Sequence, residues 1–209
     1  MSLRDLAEMY LVRGFQFTHE AVREWEMRFG ELLAEQLRRQ RRHQAGRHWH
    51  VDETYLKVSG KWVYLYRAID DDGHLVDALL SKTRDMEAAQ AFFQSATDVV
   101  KRKPREVTTD GHTAYRRAIR EKLGKRVKHT VSAGLNSRIE QDHRGIKQRY
   151  YPMLGFKAMG WAQRYCRAFE EVRIYFRART MMNGKVSLRE RRQRFLRHFL
   201  KLQRQICGM

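Results

Sequence analysis

The segments HWHVDETYLKV (48–58) and KWVYLYRAI (61–69) decide the fold class of this chain. Both are rich in β-branched and aromatic residues, and the Ser-Gly pair between them is a turn signal. A second turn at 70–73 leads into a third short apolar run at 75–80. Three short strands joined by tight turns predict an antiparallel meander.

Helical and extended patterns alternate downstream of the meander. The predicted elements are a helix over 85–102, a strand over 105–110, a helix ending at Gly124, a strand over 125–132 and a helix over 135–150. The order β-β-β-α-β-α-β-α predicts an α/β fold with a mixed sheet. Because this order is the hallmark of an RNase H-like core, we predict such a core over residues 48–155.

Three further regions flank the predicted core. Residues 1–30 predict two short helices around a turn at Gly14, the second beginning after Thr18 as its N-cap. Such a pair is a DNA-binding helix-turn-helix or a plain helical hairpin, since both give the same pattern. Residues 31–47 predict a basic helical linker, and residues 156–209 a helical, basic C-terminal region.

The charge balance indicates the kind of partner. The 209 residues include 43 Lys or Arg against 24 Asp or Glu, which gives a formal charge of +19 and an isoelectric point of about 10.4. A polyanion would relieve the resulting self-repulsion, so we expect a nucleic-acid partner rather than a membrane. No apolar run approaches the roughly 18 residues that a membrane span needs.

The cysteine content indicates the cellular compartment. The chain has 2 cysteines, Cys166 and Cys207, which is not a disulfide framework for a protein of this size. We therefore expect a cytoplasmic protein, associated with the nucleoid. With 4 Trp, 9 Tyr and 10 Phe to bury, general disorder is excluded.

Three acids stand out by their positions in the predicted elements. Asp52 lies within the first strand, where period-2 alternation places it on the opposite face from Glu53. Asp110 ends the fourth strand, at the strand terminus where α/β sheets gather ligands. Glu140 lies on the last core helix and shares one face with Arg144 and Lys147.

These acids predict a metal site. Three carboxylates converging from two strands and a helix suit two Mg²⁺ ions, with Mn²⁺ expected to substitute, and such ions serve in-line phosphoryl displacement. Lys147 and Arg144 are then interpreted as phosphate contacts. Taken singly, each acid has a plainer interpretation: a core polar group, a turn former or a solvated helix residue. Two nearby acids are not expected to be ligands: Glu53 should face away from Asp52, and Asp142 lies about 200° round the helix from Glu140.

Two other sets of residues have competing interpretations. Four arginines contact DNA phosphates or form a solvated helix face, namely Arg38, Arg39, Arg41 and Arg42. Five histidines raise the possibility of zinc but lack the usual spacing with cysteine, namely His48, His50, His112, His129 and His143.

At these residues the chain resembles a known family. The matching segments are WHVDETYLKVSGKWVYLYRAID (49–70), TTDGHTAY (108–115), RIEQDHRGIKQR (138–149) and LGFK (154–157). They resemble the IS-six family of insertion-sequence transposases, which belong to the DDE class. The resemblance implies a retroviral-integrase-like core, with Asp52, Asp110 and Glu140 as the acid triad and Lys147 near the DNA end.

Two features depart from that family's pattern. Only 29 residues separate Asp110 from Glu140, fewer than is usual in the family. The chain also begins where the helix-turn-helix begins, so we expect that unit to be truncated at its N-terminus.

The sequence therefore predicts a DNA transposase that cleaves transposon ends and transfers the freed 3′-OH into target DNA. We expect a homodimer or a higher assembly on DNA, because two element ends must be joined. Two alternatives remain open at this point: a catalytically decayed, DNA-binding transposase remnant, and an RNase H-type nuclease.

Overall fold

A computed structural model describes residues 2–132, 137–177 and 186–207. The elements are α1 (Leu3–Leu11), α2 (His19–Gln40), β1 (His48–Val58), β2 (Lys61–Asp70), β3 (Leu75–Ser81), α3 (Met86–Val100), β4 (Glu106–Thr109), α4 (Thr113–Ala118, continued by a π-helical turn Ile119–Leu123), β5 (Lys128–Val131), α5 (Ser137–Tyr150, followed by a 3₁₀ turn Tyr151–Met153), α6 (Met159–Phe176) and α7 (Leu188–Cys207). This order confirms the predicted α/β fold.

One five-stranded mixed sheet organises the core, in the strand order β3-β2-β1-β4-β5. β1 pairs antiparallel with β2, and β2 with β3, as the tight turns predict. β4 joins the other side of β1 in parallel, and β5 joins β4 in parallel. Helical crossovers supply these parallel strands, which makes β1 the central strand.

Alternation along β1 divides the core between the two faces of the sheet. Trp49 and Val51 are buried on one face, under α3 and α4. Leu56 and Val58 are buried on the other face, where Ile146 of α5 also lies. Because both faces are covered, β1 has few positions at which a polar side chain can reach solvent.

The first long helix passes through a predicted boundary. α2 begins after Thr18, whose hydroxyl accepts a hydrogen bond from the Ala21 N–H at 3.1 Å, as the sequence predicts. It then continues without a break to Gln40, so the boundary expected between residues 30 and 31 falls inside one helix. α2 packs against α6, and the function of residues 1–30 as a helix-turn-helix stays a prediction.

The end of α2 is tied to the core by buried ion pairs. Arg38 contacts Asp77 of β3 at 2.6 Å, and the Asp77 side chain is fully buried. Arg41 donates to the backbone carbonyls of Leu75 and Val76 and pairs with Glu171 of α6. The segment predicted as a basic linker therefore also fixes α2 to the core, because Arg38 and Arg41 pair with buried carboxylates.

A second buried pair joins the sheet to α6. Arg67 of β2 contacts Glu170 at 2.5 Å, and both side chains are 0% exposed. Arg173 contacts the same Glu170 oxygen at 3.0 Å. We call five residues at these two pairings the internal ion-pair cluster: Arg41, Arg67, Asp77, Glu170 and Glu171.

Where the structure describes it, the C-terminal region consists mainly of two helices, α6 and α7, as predicted. The basic amphipathic helix expected over 187–205 corresponds to α7, which packs against the end of α6 through Phe195 and Phe176, whose ring centroids lie 4.9 Å apart. Within the part of the chain that the structure describes, no helix is long and apolar enough to cross a lipid bilayer.

Candidate active site

The pairing of two parallel strands brings Asp52 and Asp110 together. His50 of β1 lies in register with Thr108 of β4, and each acid follows two residues later along the chain. Carboxylate oxygens of Asp52, Glu53 and Asp110 all lie within 4.8 Å of one another. We call these three residues the acid cluster. The predicted convergence of Asp52 and Asp110 is thus present in the structure.

A sharp turn after β4 holds Asp110 at the sheet edge. Gly111 has φ +92°, and a Cβ atom there would lie 2.5 Å from a methyl group of Val131 in β5. Only glycine fits both constraints. The Asp110 carboxylate accepts a hydrogen bond from the His112 N–H at 3.0 Å, which fixes one oxygen and leaves the side chain 35% exposed.

Helix α5 approaches Asp52 from the other face of the sheet. The four residues predicted to form its apolar side are all buried, namely Ile139, His143, Ile146 and Tyr150. His143 Nδ1 lies 3.7 Å from Asp52 Oδ2, and both side chains are largely buried. The imidazole therefore limits how the Asp52 carboxylate can turn.

The structure places Glu53 beside the other two acids. Glu53 points to the face opposite Asp52, as alternation predicts, but its oxygens still lie within 4.8 Å of those of Asp52 and Asp110. The predicted orientation is therefore present, but it does not separate the Glu53 carboxylate from the other two. β4 pairs with β1 only through His48–His50. Beyond His50, side chains from both faces of β1 can therefore approach the end of β4.

Glu53 is held by two donors that sequence reasoning missed. Tyr115 of α4 donates its hydroxyl to one Glu53 oxygen, and Arg84 donates its Nε–H to the other. Burial, and next the negative charge of Glu53, raise the pKa of Tyr115 well above its usual value, so its hydroxyl stays a donor. Tyr115 lies within the family-like segment TTDGHTAY, whereas Arg84 lies in a loop that carries no pattern.

Arg84 also reaches Asp110. Its Nη2 lies 3.1 Å from Asp110 Oδ2, so one guanidinium contacts two acids of the cluster. Burial lowers the pKa of Arg84, but the hydrogen bond to Glu53 and the charges of Glu53 and Asp110 outweigh it and raise that pKa. The arginine therefore supplies a permanent positive charge beside the acids.

The third predicted acid lies on the helix that approaches Asp52. Glu140 is in the first turn of α5, three residues before His143. Its side chain, and that of Asp142, lie outside the described residues. The backbone thus brings Glu140 one helical turn from a residue beside Asp52, and its role as a ligand stays a prediction.

The predicted DNA contacts divide into two groups. Lys147, Arg144, Arg39 and Arg42 lie at or near the surface, where phosphates can reach them. The guanidinium groups of Arg38 and Arg41 are instead committed to carboxylates of the internal ion-pair cluster. We therefore withdraw Arg38 and Arg41 as phosphate contacts, because a buried carboxylate partner already fixes each one.

Lys147 lies beside two exposed aromatic rings. Its Nζ lies 5.6 Å from the ring centroid of Tyr55, and Tyr55 meets Trp62 edge to face at 5.2 Å. Lys57 Nζ lies 5.9 Å from the Trp62 ring, and both aromatic residues are more than half exposed. We call Tyr55, Lys57, Trp62 and Lys147 the lysine–aromatic patch.

Two predicted histidines lie together away from the acid cluster. His48 Nδ1 and His50 Nε2 both contact one oxygen of Asp71, at 3.0 and 2.9 Å. Asp71 follows the last residue of β2, so the β2–β3 turn returns it to the start of β1.

Comparison with known proteins defines the family. A family profile described as a DDE domain matches residues 46–179. The transposase for insertion sequence-like element IS431mec of Staphylococcus aureus is 39% identical over 156 residues, which are 71% of this chain and 67% of that protein. The transposase for insertion sequence element IS257 in transposon Tn4003, also from Staphylococcus aureus, matches to the same extent.

A solved structure shares the fold. A chain of the simian T-cell lymphotropic virus intasome in complex with PP2A regulatory subunit B56 gamma aligns with a TM-score of 0.50 at 15% identity, covering 74% of this chain and 56% of that chain. At this identity the likeness shows the fold alone, which is RNase H-like as predicted.

The DDE-domain profile and the transposase relatives show that the chain is a DDE-class enzyme of phosphoryl transfer. Within that class, the chain belongs to the IS-six family of transposases, as the sequence motifs indicate. Its substrate is therefore DNA, and the family implies a divalent metal ion.

Proposed function

We propose that this transposase cleaves the ends of its element and transfers the freed 3′-OH into target DNA, with Asp52, Asp110 and Glu140 holding two Mg²⁺ ions. The observation that carries this proposal is the approach of carboxylate oxygens from β1 and the end of β4 to within 4.8 Å. Two carboxylates from adjacent strands at an accessible edge are a typical donor set for a hard divalent cation.

The residues of the cluster fit such ions. Asp52 and Asp110 offer oxygen donors, and Mn²⁺ takes the same kind of ligand, so we expect it to substitute for Mg²⁺. When bound, two such ions lower the pKa of the attacking hydroxyl and stabilise the leaving oxygen. Glu53 is a poor third ligand, because its side chain is only 3% exposed and Tyr115 and Arg84 hold one oxygen each, whereas Asp110 is 35% exposed.

The protein's own groups fix the direction of the donors. The His112 N–H holds one oxygen of Asp110, and His143 lies against Asp52. Because these contacts come from α5 and from the turn after β4, the two carboxylates are oriented before DNA arrives. Such preorganisation supports in-line attack without a covalent enzyme intermediate.

We place the DNA path over the lysine–aromatic patch. Tyr55 lies three residues beyond Asp52, or roughly 10 Å along β1 at about 3.3 Å per residue. Two lysines beside exposed rings offer charge for phosphates and faces on which bases can stack. Lys147→Ala should therefore weaken binding to a pre-cleaved element end and slow joining, and Lys147→Arg should recover part of both because it keeps the charge.

We further propose that a homodimer or a larger assembly acts on DNA, because strand transfer joins two element ends to one target. Crosslinking on paired-end DNA, followed by sizing of the complex, tests this point. A complex with one protein chain that joins both ends would contradict it.

A strand-transfer assay with the element's own terminal sequence tests the proposed function. Wild type should join ends with Mg²⁺ or Mn²⁺ and not with chelator. Glu140→Gln should abolish joining while DNA binding persists, and Asp142→Asn, two residues along the same helix, should keep most activity. Full activity in Glu140→Gln would remove it from the triad.

The same assay separates the alternatives. DNA binding without metal-dependent nicking would indicate a decayed transposase remnant. A clear preference for cutting RNA–DNA hybrid over element ends would indicate an RNase H-type nuclease.

A further inference from the structure

Arg84 contacts two acids of the acid cluster, Glu53 and Asp110. It lies between the end of β3 at Ser81 and the start of α3 at Met86. From there its Nε contacts Glu53 and its Nη2 contacts Asp110 at 3.1 Å. Its side chain is 36% exposed, so the guanidinium lies between the buried Glu53 carboxylate and solvent.

Glu53 serves as a fixed anchor for this arginine. The Glu53 side chain is only 3% exposed, and each of its oxygens accepts from one donor, Arg84 or the almost fully buried Tyr115. Replacing either donor would leave a buried acceptor without its partner, which is costly. The Nε end of Arg84 is therefore held firmly.

The Nη end of Arg84 is held less firmly. Its contact is to Asp110, which is 35% exposed. No hydrogen bond from Nη1 is found among the described residues. A divalent cation bound by Asp110 would repel the guanidinium, so Nη2 and the ion compete for the same carboxylate. An ion held by Asp110 would therefore favour an arrangement in which Nη2 turns away from Asp110 while Nε stays on Glu53.

A DNA phosphate offers the displaced nitrogens a new partner. Ions held by the acid cluster would act on the scissile phosphate, so its non-bridging oxygens would lie beside the acid cluster. A planar guanidinium with two adjacent N–H groups matches phosphate oxygens in a forked geometry that lysine cannot reproduce. The anchored side chain then presents its fork at the position where the phosphate must lie.

We propose that Arg84 is a phosphate-binding residue of this transposase, with Glu53 and Tyr115 as its positioning residues. In the metal-free protein its Nη2 neutralises Asp110, and in the loaded complex it binds the DNA phosphate. This inference rests on the proposed function, because it requires the divalent ion at Asp110. It differs from a merely structural role, in which Arg84 would only tie the β3–α3 loop to the sheet.

Two measurements on the same variants test the inference. Calorimetric titration of the DNA-free protein with Mn²⁺ should show about fivefold tighter binding in Arg84→Gln than in wild type, because a competing cation is gone. At saturating Mn²⁺, joining of a pre-cleaved element end should fall at least about tenfold in the same variant, because the forked phosphate contact is removed. Arg84→Lys should bind Mn²⁺ as wild type does and recover only part of the joining.

The controls separate the possible failures. Arg117→Gln removes an exposed arginine paired with Glu121 on α4 and should change neither measurement. Glu53→Gln keeps the shape of the anchor but not its charge, and should lower joining as Arg84→Gln does. Far-ultraviolet circular dichroism should show all variants folded.

The outcomes are distinct. Unchanged Mn²⁺ affinity together with unchanged joining in Arg84→Gln would overturn the inference, as would losses of both that follow unfolding. If wild type itself shows no Mn²⁺ binding that Asp110→Asn removes, the proposed function fails, and the inference fails with it. Tighter Mn²⁺ binding with slower joining in Arg84→Gln supports the proposed function and the inference. If Arg84 only held the β3–α3 loop to the sheet, its loss would not strengthen Mn²⁺ binding while slowing joining.

Discussion

Two groups of carboxylates lie against the same sheet, and both are paired with arginines, but they differ in how deeply the pairs are buried. In the internal ion-pair cluster, Arg67 and Glu170 are fully buried and contact each other at 2.5 Å. In the acid cluster, Asp110 is 35% exposed and its arginine partner Arg84 is 36% exposed. A fully buried pair has no access to a new partner, whereas the proposed metal site requires the partly exposed Asp110 to exchange its arginine for a metal ion.

The two groups are also close in the sheet. Arg67 lies opposite Asp52 in the β1–β2 register, so the two side chains share a face. Arg67 is buried and paired with Glu170 of α6, whereas Asp52, opposite it on β1, belongs to the proposed metal site. We expect mutations in the two groups to separate cleanly into losses of stability and losses of activity.

The largest expected effect concerns activity. Asp52→Asn and Asp110→Asn should each slow end cleavage about a thousandfold or more, because metal ions supply several kcal/mol of transition-state stabilisation. Both variants should bind DNA and unfold in urea much as wild type does. Single-turnover cleavage with Mg²⁺ measures the loss. A wild-type rate in either variant would contradict the view that the acid cluster serves activity and the internal ion-pair cluster serves stability.

The next effect concerns stability. Glu170→Ala leaves the fully buried guanidinium of Arg67 without its 2.5 Å partner, so the free energy of unfolding should fall by about 3–5 kcal/mol. Glu35→Ala removes an exposed pair with Arg39 and should cost no more than about 1 kcal/mol. Urea denaturation measures both. Equal losses would mean that burial does not set the contribution of these pairs.

Features that depend on local sequence patterns could be predicted from the sequence. Period-2 alternation places Asp52 at a strand position, and the turn residue Gly111 places Asp110 at a strand end, so both acids were predictable from local pattern. Burial of Ile139, His143, Ile146 and Tyr150 likewise follows helical spacing.

Contacts between distant segments were not predictable. Arg84 reaches Glu53 across 31 positions of sequence, and Arg41 reaches Glu171 across 130. Neither loop geometry nor helix packing appears in a periodic pattern, so the sequence could not distinguish an internal arginine from a phosphate contact. Alternation also gives the face of Glu53 but not the distance between oxygens at a strand edge.

A pH dependence should distinguish the internal ion-pair cluster. Burial raises the pKa of Glu171 to about 7, although Arg41 works in the opposite direction. The folded state then binds more protons than the unfolded state between about pH 4.5 and 7, so the contribution of Glu171 to stability falls as pH rises through that window. Urea unfolding of wild type and Glu171→Gln at several pH values measures it, and identical pH slopes would contradict the assignment.

The smallest effect concerns the exposed arginines. Arg39→Gln combined with Arg42→Gln should flatten the dependence of log K on log salt for duplex DNA, by about 0.9 for each phosphate that these arginines neutralise. Folding should be nearly unchanged, because both side chains are exposed. An unchanged salt slope would mean that these arginines form a solvated helix face.

The position of a bound Mn²⁺ ion is the most direct test of the proposed metal site. Crystals soaked in Mn²⁺ and measured at a wavelength with strong anomalous scattering locate the metal without reference to activity. We predict a peak between the carboxylates of Asp52 and Asp110, with Arg84 Nη2 moved away from Asp110. No peak at this pair, or a peak only at Asp71 with His48 and His50, would contradict the site.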